Sequence, residues 1–197
     1  RGNDDGSFAP GRTLNRAEVS KILILATKTP LKVPEGAHFP DVNPDDWFYP
    51  YVETMRSKGW IAGYPDGYFR PGQGINRAEI AKMITNTFNV SGSFNEPLRI
   101  ADASSSDWFY PFVQAVVGSQ IMPLQSGNRF NPATPVNRIE TVGYAYNSQR
   151  NQQIPEIESG TLKISVASNT PKASPIPKNG ARIPFLTLDL TAQGGND

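Results

Sequence analysis

Moving 61 residues along this chain finds the same residues again, with Trp47 mapping to Trp108, Asp41 to Asp102 and Arg77 to Arg138. In the other direction the same step carries Arg77 to Arg16, Glu79 to Glu18, Phe69 to Phe8, Pro71 to Pro10 and Gly63 to Gly2. A fixed period of this size marks a repeat architecture, in which one supersecondary unit cannot bury its apolar face alone and must stack on its neighbours. The fullest copy is 39–88, a second follows at 99–148, and 1–28 matches only the later half of the unit. On this register the counterpart of Trp47 falls upstream of Arg1, so the missing half of the first copy is expected to precede it.

The bulk properties exclude more than they assign. A net charge of +1 gives no field for neutralising phosphates, which argues against a nucleic-acid partner. With no Cys there is no thiolate chemistry, disulfide framework or Cys-based zinc site. No apolar run approaches the ~18 residues of a membrane span. His38 is the single His, without a repeated counterpart, in a stretch that reads as a solvated linker.

Within the repeats, apolar spacing predicts two helices per copy. Val19, Ile22, Leu23 and Ala26 recur at helical intervals over about 15–27, and Ile80, Ala81, Ile84 and Phe88 do so after the cap Asn76. The first helix of the middle copy is expected to begin after Pro44, capped by Asp45 or Asp46, with Phe48, Tyr51, Val52 and Met55 on one face and Gly59 ending it. The third copy predicts helices over about 107–118 and 137–147. Between the helices, Gly63-Tyr64-Pro65-Asp66-Gly67-Tyr68-Phe69-Arg70-Pro71-Gly72 is a loop dense in turn formers. Residues 29–38, 89–98 and 149–159 read as linkers. In 160–197, Leu162, Ile164 and Val166 alternate with polar residues and 183–190 is again strand-like, which predicts the opening strands of a β-sandwich module.

Each second helix opens on one tetrapeptide: Asn15-Arg16-Ala17-Glu18, Asn76-Arg77-Ala78-Glu79 and Asn137-Arg138-Ile139-Glu140. Asn and Glu three apart form a capping box, a local role that accounts for both. Arg at the first helical position is different, because the macrodipole disfavours a cation there. Two readings stay open: an ion pair with a carboxylate elsewhere, such as Asp41 or Asp102, or recognition of an external anion beside helix-start amides.

Trp47-Phe48-Tyr49-Pro50 and Trp108-Phe109-Tyr110-Pro111 crowd rigid groups into one turn, so they cannot all point inward. Phe48 and Phe109 are expected in the core, and at least one of Trp47 and Tyr49 outside. An outward Trp either packs between repeats or covers the apolar face of a sugar whose acidic group an Arg takes. Asp41-x-Asn43-x-Asp45 imitates a calcium loop, but Asp46 occupies the position of the turn Gly and Val52 that of the bidentate Glu.

The order Phe-x-Asp, Trp, Tyr/Phe-Val, Gly-Tyr-x-Asp-Gly-x-Phe-x-Pro and Asn-Arg-Ala-Glu resembles the S-layer homology (SLH) domain over about residues 1–147, with Asn where that family usually has Thr. The resemblance implies a mainly α, pseudo-threefold assembly of three motifs with ligand grooves between them. It also implies a non-covalent anchor at the cell surface; the lone His38, the locally engaged cap Glu residues and the incomplete calcium loop give no ground for expecting an enzyme, a cofactor or a metal in these residues. Its partner would be a secondary cell-wall polysaccharide bearing a pyruvylated amino sugar, and the chain would belong to a homo-oligomeric surface array. Carried over by position, Arg16, Arg77 and Arg138 become anion contacts, and Asp41, Asp102, Trp47, Trp108, Gly63, Tyr64 and Gly2 groove residues. The third copy departs from this pattern: Gly63 becomes Leu124, Tyr64 becomes Gln125, Asp66 becomes Gly127 and Gly67 becomes Asn128. The loop of the middle copy is therefore expected to form the best site, and the groove walled by the third-copy loop to be weak or silent. Two other functions fit the same resemblance: a lattice subunit making only protein contacts, and the anchor of a larger wall-active glycan hydrolase.

Overall fold

The computed structural model describes residues 5–34, 36–91 and 98–153. Gly2 and the strand-like stretch 160–197 lie outside them. The described residues form five helices: α1 (Arg16–Thr27), α2 (Tyr49–Ser57), α3 (Arg77–Phe88), α4 (Tyr110–Gly118) and α5 (Arg138–Gln153). The fold is mainly α, as the periodicity predicts. The second helices α1, α3 and α5 pack on one another, while α2 lies on α1 and α4 on α3.

Three backbone hydrogen bonds close the assembly. Ile75 N donates to Leu14 O at 3.1 Å, Val136 N to Ile75 O at 3.1 Å, and Leu14 N back to Val136 O at 3.2 Å. These residues are one register step apart, and all three are buried. The pseudo-threefold is thus a ring and not an open stack. The backbone repeats with it, since Ala9, Arg70 and Asn131, again one step apart, all hold positive φ.

The same closure completes the helix starts. The first two amides of α1, at Arg16 and Ala17, donate to Gln73 O and Pro71 O. Those of α3 donate to Thr134 O and Pro132 O, and those of α5 to Arg12 O and Pro10 O. The third amide is taken by the Asn cap, with Glu18 N to Asn15, Glu79 N to Asn76 and Glu140 N to Asn137 all at 2.9 Å. Donors that a helix start leaves orphaned are therefore filled by the neighbouring copy's loop and the local cap.

The first helices start later than expected, at Tyr49 and Tyr110. Pro50 and Pro111 are the cause: Pro lacks an amide and clashes with the carbonyl one turn back, so it fits only in a first turn. Asp46 instead accepts from Asn43 N at 2.8 Å, holding the turn that precedes α2. α5 runs further than expected, to Gln153, although its last turns carry no apolar periodicity. Their polar side chains supply the reason. Gln149, Asn151 and Gln152 donate to Ala26 O, Ser119 O and Phe88 O, carbonyls at the ends of α1, α4 and α3.

The first linker is held to α2 by buried polar groups. Thr54 exchanges hydrogen bonds with both backbone groups of Lys32, and the fully buried Glu53 takes His38 N at 3.0 Å and His38 Nδ1 at 2.6 Å. His38, expected to be solvated, is thus half-exposed and paired. In the third copy Gln114 replaces Glu53 and holds Leu98 N and O at 2.8 and 2.9 Å.

Candidate functional site

The two inner arginines do not point to solvent. Arg16 is 6% exposed and Arg77 2%. Each reaches into the loop of the following copy: Arg16 Nε donates to Phe69 O at 2.8 Å and Nη2 to Ala62 O at 3.4 Å. Arg77 Nε donates to Phe130 O at 2.6 Å and Nη2 to Pro123 O at 3.0 Å, the same contacts one register step on. Each guanidinium also lies over an aromatic ring, Arg16 over Phe69 at 4.7 Å and Arg77 over Phe130 at 4.6 Å. Arg138 completes the cycle at 5.0 Å over Phe8 of the first copy's loop. Carbonyl oxygens and ring faces thus solvate a charge that its own helix start would repel.

Asp41 and Asp102 serve those same loops. Asp41 accepts from Phe69 N at 2.9 Å and Arg70 N at 2.7 Å, and Asp102 from Phe130 N at 2.7 Å and Asn131 N at 2.8 Å. One residue, Phe69 or Phe130, is therefore clamped by an aspartate on its amide and by an arginine on its carbonyl. This replaces the Arg–Asp ion pair held open from the sequence, although Arg16 does find a carboxylate elsewhere in the fold, Glu79 Oε1 at 3.8 Å from Nη1. The helix-start amides expected beside the Arg are likewise occupied, as the fold shows.

Gly63 owes its identity to a close approach within the protein. A Cβ there would stand 2.9 Å from both Phe39 Cε1 and Tyr68 O. One register step on stand Ile100 and Leu124, a smaller group where the ring was and a larger one where the Gly was. Tyr64 lies between two guanidinium groups, Arg16 at 4.8 Å and Arg70 at 4.5 Å, and donates its hydroxyl to Glu79 Oε1 at 2.5 Å. Burial, followed by that hydrogen bond, pushes the Tyr64 phenol above its ordinary value. Burial also pushes the Glu18 carboxyl up. The Arg12 hydrogen bond, the Asn15 amide and the charges of Arg12 and Arg138 outweigh it and hold the group below the usual range.

The tryptophans are the exposed members of the set. Trp47 is 53% exposed and Trp108 56%, while Tyr49 is buried with its hydroxyl on Pro34 O at 3.0 Å. Phe48 and Phe109 are half-buried against the core, each edge-on to its Trp. A lysine from the preceding copy's second helix lies over each indole: Lys21 Nζ at 5.2 Å from Trp47 and Lys82 Nζ at 5.7 Å from Trp108. The same lysines face Tyr51 at 5.3 Å and Phe112 at 5.7 Å. Sequence reasoning missed Lys21 and Lys82, although they share the register and could have been found by it. At the third position of that series stands Gly143.

At the junction of the first and second copies, Arg16 meets Tyr64 and Phe69 while Lys21 meets Trp47 and Tyr51; at that of the second and third, Arg77 meets Phe130 and Tyr144 while Lys82 meets Trp108 and Phe112. A separate cleft of about 370 Å³ on the third copy is lined by Leu98, Arg99, Ile100, Ala101, Ala103, Tyr110, Gly127 and Asn128, none of them a predicted site residue.

The sequence matches the S-layer homology domain family over residues 38–81 and 99–142. Among curated proteins, it is 24% identical over 86% of its length to a surface-layer 125 kDa protein of Lysinibacillus sphaericus, covering 15% of that protein. It is 30% identical over 55% of its length to a cellulosome-anchoring protein of Acetivibrio thermocellus, covering 25% of it. A cell wall amidase of Bacillus anthracis, described as uncharacterized, is 24% identical over 73% of the chain, which covers 27% of that protein. The chain thus spans about a quarter or less of the length of these relatives.

Proposed function

We propose that this chain, whose residues 38–81 and 99–142 are S-layer homology motifs, anchors a surface protein non-covalently to the cell envelope by binding an acidic wall polysaccharide in the grooves between its copies. It is a cell-surface protein, and among its described residues no helix is long and apolar enough to cross a membrane. The observation that carries the proposal is the pair of half-exposed tryptophans, each with a lysine over its ring at the same register position.

Leaving about half of an indole in water forfeits burial worth on the order of 1 kcal/mol at each site, so stability alone does not account for the repeated exposure. An aromatic plane beside an ammonium group suits a pyranose ring carrying a carboxylate: the ring stacks while the cation takes the charge. Lys21 and Lys82 are the cations beside the exposed rings, Arg16 and Arg77 being enclosed by the neighbouring loops, and a pyruvylated amino sugar presents both the flat apolar face and the acid. Asp41, Asp102 and Gly63 act one step back, holding the loops that wall the grooves. The relatives support an anchoring role, being named as a surface-layer protein and a cellulosome-anchoring protein. In the amidase the similarity covers about a quarter of the protein, as an anchor appended to an enzyme would.

Co-sedimentation with purified wall sacculi tests this. The chain is expected to pellet with sacculi that retain their acidic polymer and to stay in solution once the acidic groups are removed. Trp47→Ala combined with Trp108→Ala is expected to abolish pelleting while leaving the helical circular dichroism intact. Pelleting that ignores both the acid groups and the tryptophans would reject the proposal.

A further inference from the structure

We infer that the cleft on the third copy is a further binding site, one that takes the C-terminal end of a peptide: a carboxylate, the amide before it and a small apolar side chain. None of its lining residues is among those that meet at the two junctions, so it stands or falls apart from polysaccharide binding.

Substitutions at register positions account for the cleft. Phe39 becomes Ile100, Val42 becomes Ala103 and Asp66 becomes Gly127, so three side chains shrink around one space of about 370 Å³. Its walls are nonetheless tethered. Gln114 holds Leu98 by both backbone groups at 2.8 and 2.9 Å, and Ala101 N donates to Asn128 O at 2.8 Å. A space of this size, with apolar walls and a few polar groups, suits a small ligand.

Those polar groups are uncommitted. In the second copy Tyr49 is buried with its hydroxyl on Pro34 O, and His38 is bound to Glu53. One register step on, Tyr110 is half-buried, and neither its hydroxyl nor the Arg99 guanidinium has a hydrogen bond or ion pair among the described residues. The Asn128 carboxamide is equally unengaged among them. It stands where the second copy has Gly67, at φ 55, a left-handed position that Gly takes at lower cost.

The groups sort by chemistry. A guanidinium takes a carboxylate through parallel N–H donors. A carboxamide offers both donor and acceptor, the complement of an amide N–H and C=O, and a phenol hydroxyl can serve either. Leu98, Ile100 and Ala103 leave an apolar wall for a short aliphatic group. A carboxylate, an amide and a methyl group within a few bonds of one another describe an N-acylated alanine. Two sources share that chemistry: a wall peptide ending in D-alanine and an ordinary protein end in L-alanine.

The experiment titrates the full chain with N-acetyl-D-alanine and with N-acetyl-L-alanine, following the backbone amides of Ile100, Ala101, Ala103 and Asn128 and the indole N–H groups of Trp47 and Trp108. Saturable millimolar binding is expected to shift those amides and leave the indoles in place, and the tighter enantiomer names the source. N-acetylglycine, which lacks the methyl group, is expected to bind roughly fourfold more weakly. Arg99→Gln is expected to weaken binding about tenfold and Tyr110→Phe several-fold, with the helical circular dichroism unchanged. Ala103→Val, which restores the second copy's residue, is expected to narrow the cleft and weaken both enantiomers. The inference is overturned if neither enantiomer shifts these amides saturably, if Arg99→Gln binds undiminished, or if glucuronate binds as well as the acylated alanines.

Discussion

At the residue scale, two copies solve one steric problem in opposite ways. The second places Phe39 against Gly63, and the third has Ile100 and Leu124 at the same positions. Gly63→Ala is therefore expected to cost about 1–3 kcal/mol, because the added Cβ meets a ring carbon and a backbone oxygen that cannot both yield. Combining it with Phe39→Leu should recover part of the loss, and a double-mutant cycle in urea should show a coupling of about 1 kcal/mol. The tyrosines give a second test. Tyr64 and Tyr144 are both pushed above the ordinary 10.0, in each case first by burial. A raised folded-state pKa contributes stability that is full below the unfolded value and is lost as pH climbs through the folded one. Alkaline titration of phenolate absorbance should therefore show two late tyrosines, whose ionisation coincides with loss of structure. The Phe variants at these two positions should lack them.

At the scale of elements, each second helix is started by a capping box and finished by a neighbour. Asn76→Ala removes the acceptor for Glu79 N and is expected to cost about 1 kcal/mol, read as a lowered urea midpoint. The far ends depend on α5, whose Gln149 and Gln152 hold carbonyls of α1 and α3. Replacing both by Ala should cost about 1 kcal/mol for each hydrogen bond lost, with faster amide exchange confined to the last turns of α1 and α3. The outer face of α5 differs from its equivalents: Ile139 and Val142 are exposed, whereas Ala17, Ser20, Ala78 and Ala81 at the same positions of α1 and α3 are buried.

For the whole molecule, ring closure sets the cooperativity. An open solenoid can lose repeats one at a time, since each contacts only its neighbours. Here Leu14, Ile75 and Val136 bond in a cycle, and Arg16 and Arg77 each tie one copy's helix to the next copy's loop, so no copy can leave without breaking two junctions. Urea unfolding of variants whose tryptophans report separately on the second and third copies should therefore give coincident midpoints. Two separated transitions would show that the ring does not couple the copies.

The sequence by itself determined the period, the helical character, the capping boxes and the equivalence of positions in different copies, because those rest on local spacing and on side chains acting within one turn. It even marked the third-copy loop as the odd one. It did not reveal what the repeated arginine and aspartate do, since each finds its partner in the backbone of a distant loop, and a carbonyl or amide has no signature in a list of side chains. The start of α2 was open to reading from Pro50. The end of α5 was not, since its polar turns are held by carbonyls of other helices. Only the tertiary structure decided that Arg16 and Arg77 are enclosed while Trp47 and Trp108 stand open, because burial is set by which copy lies beside which, and closure of the ring settles that.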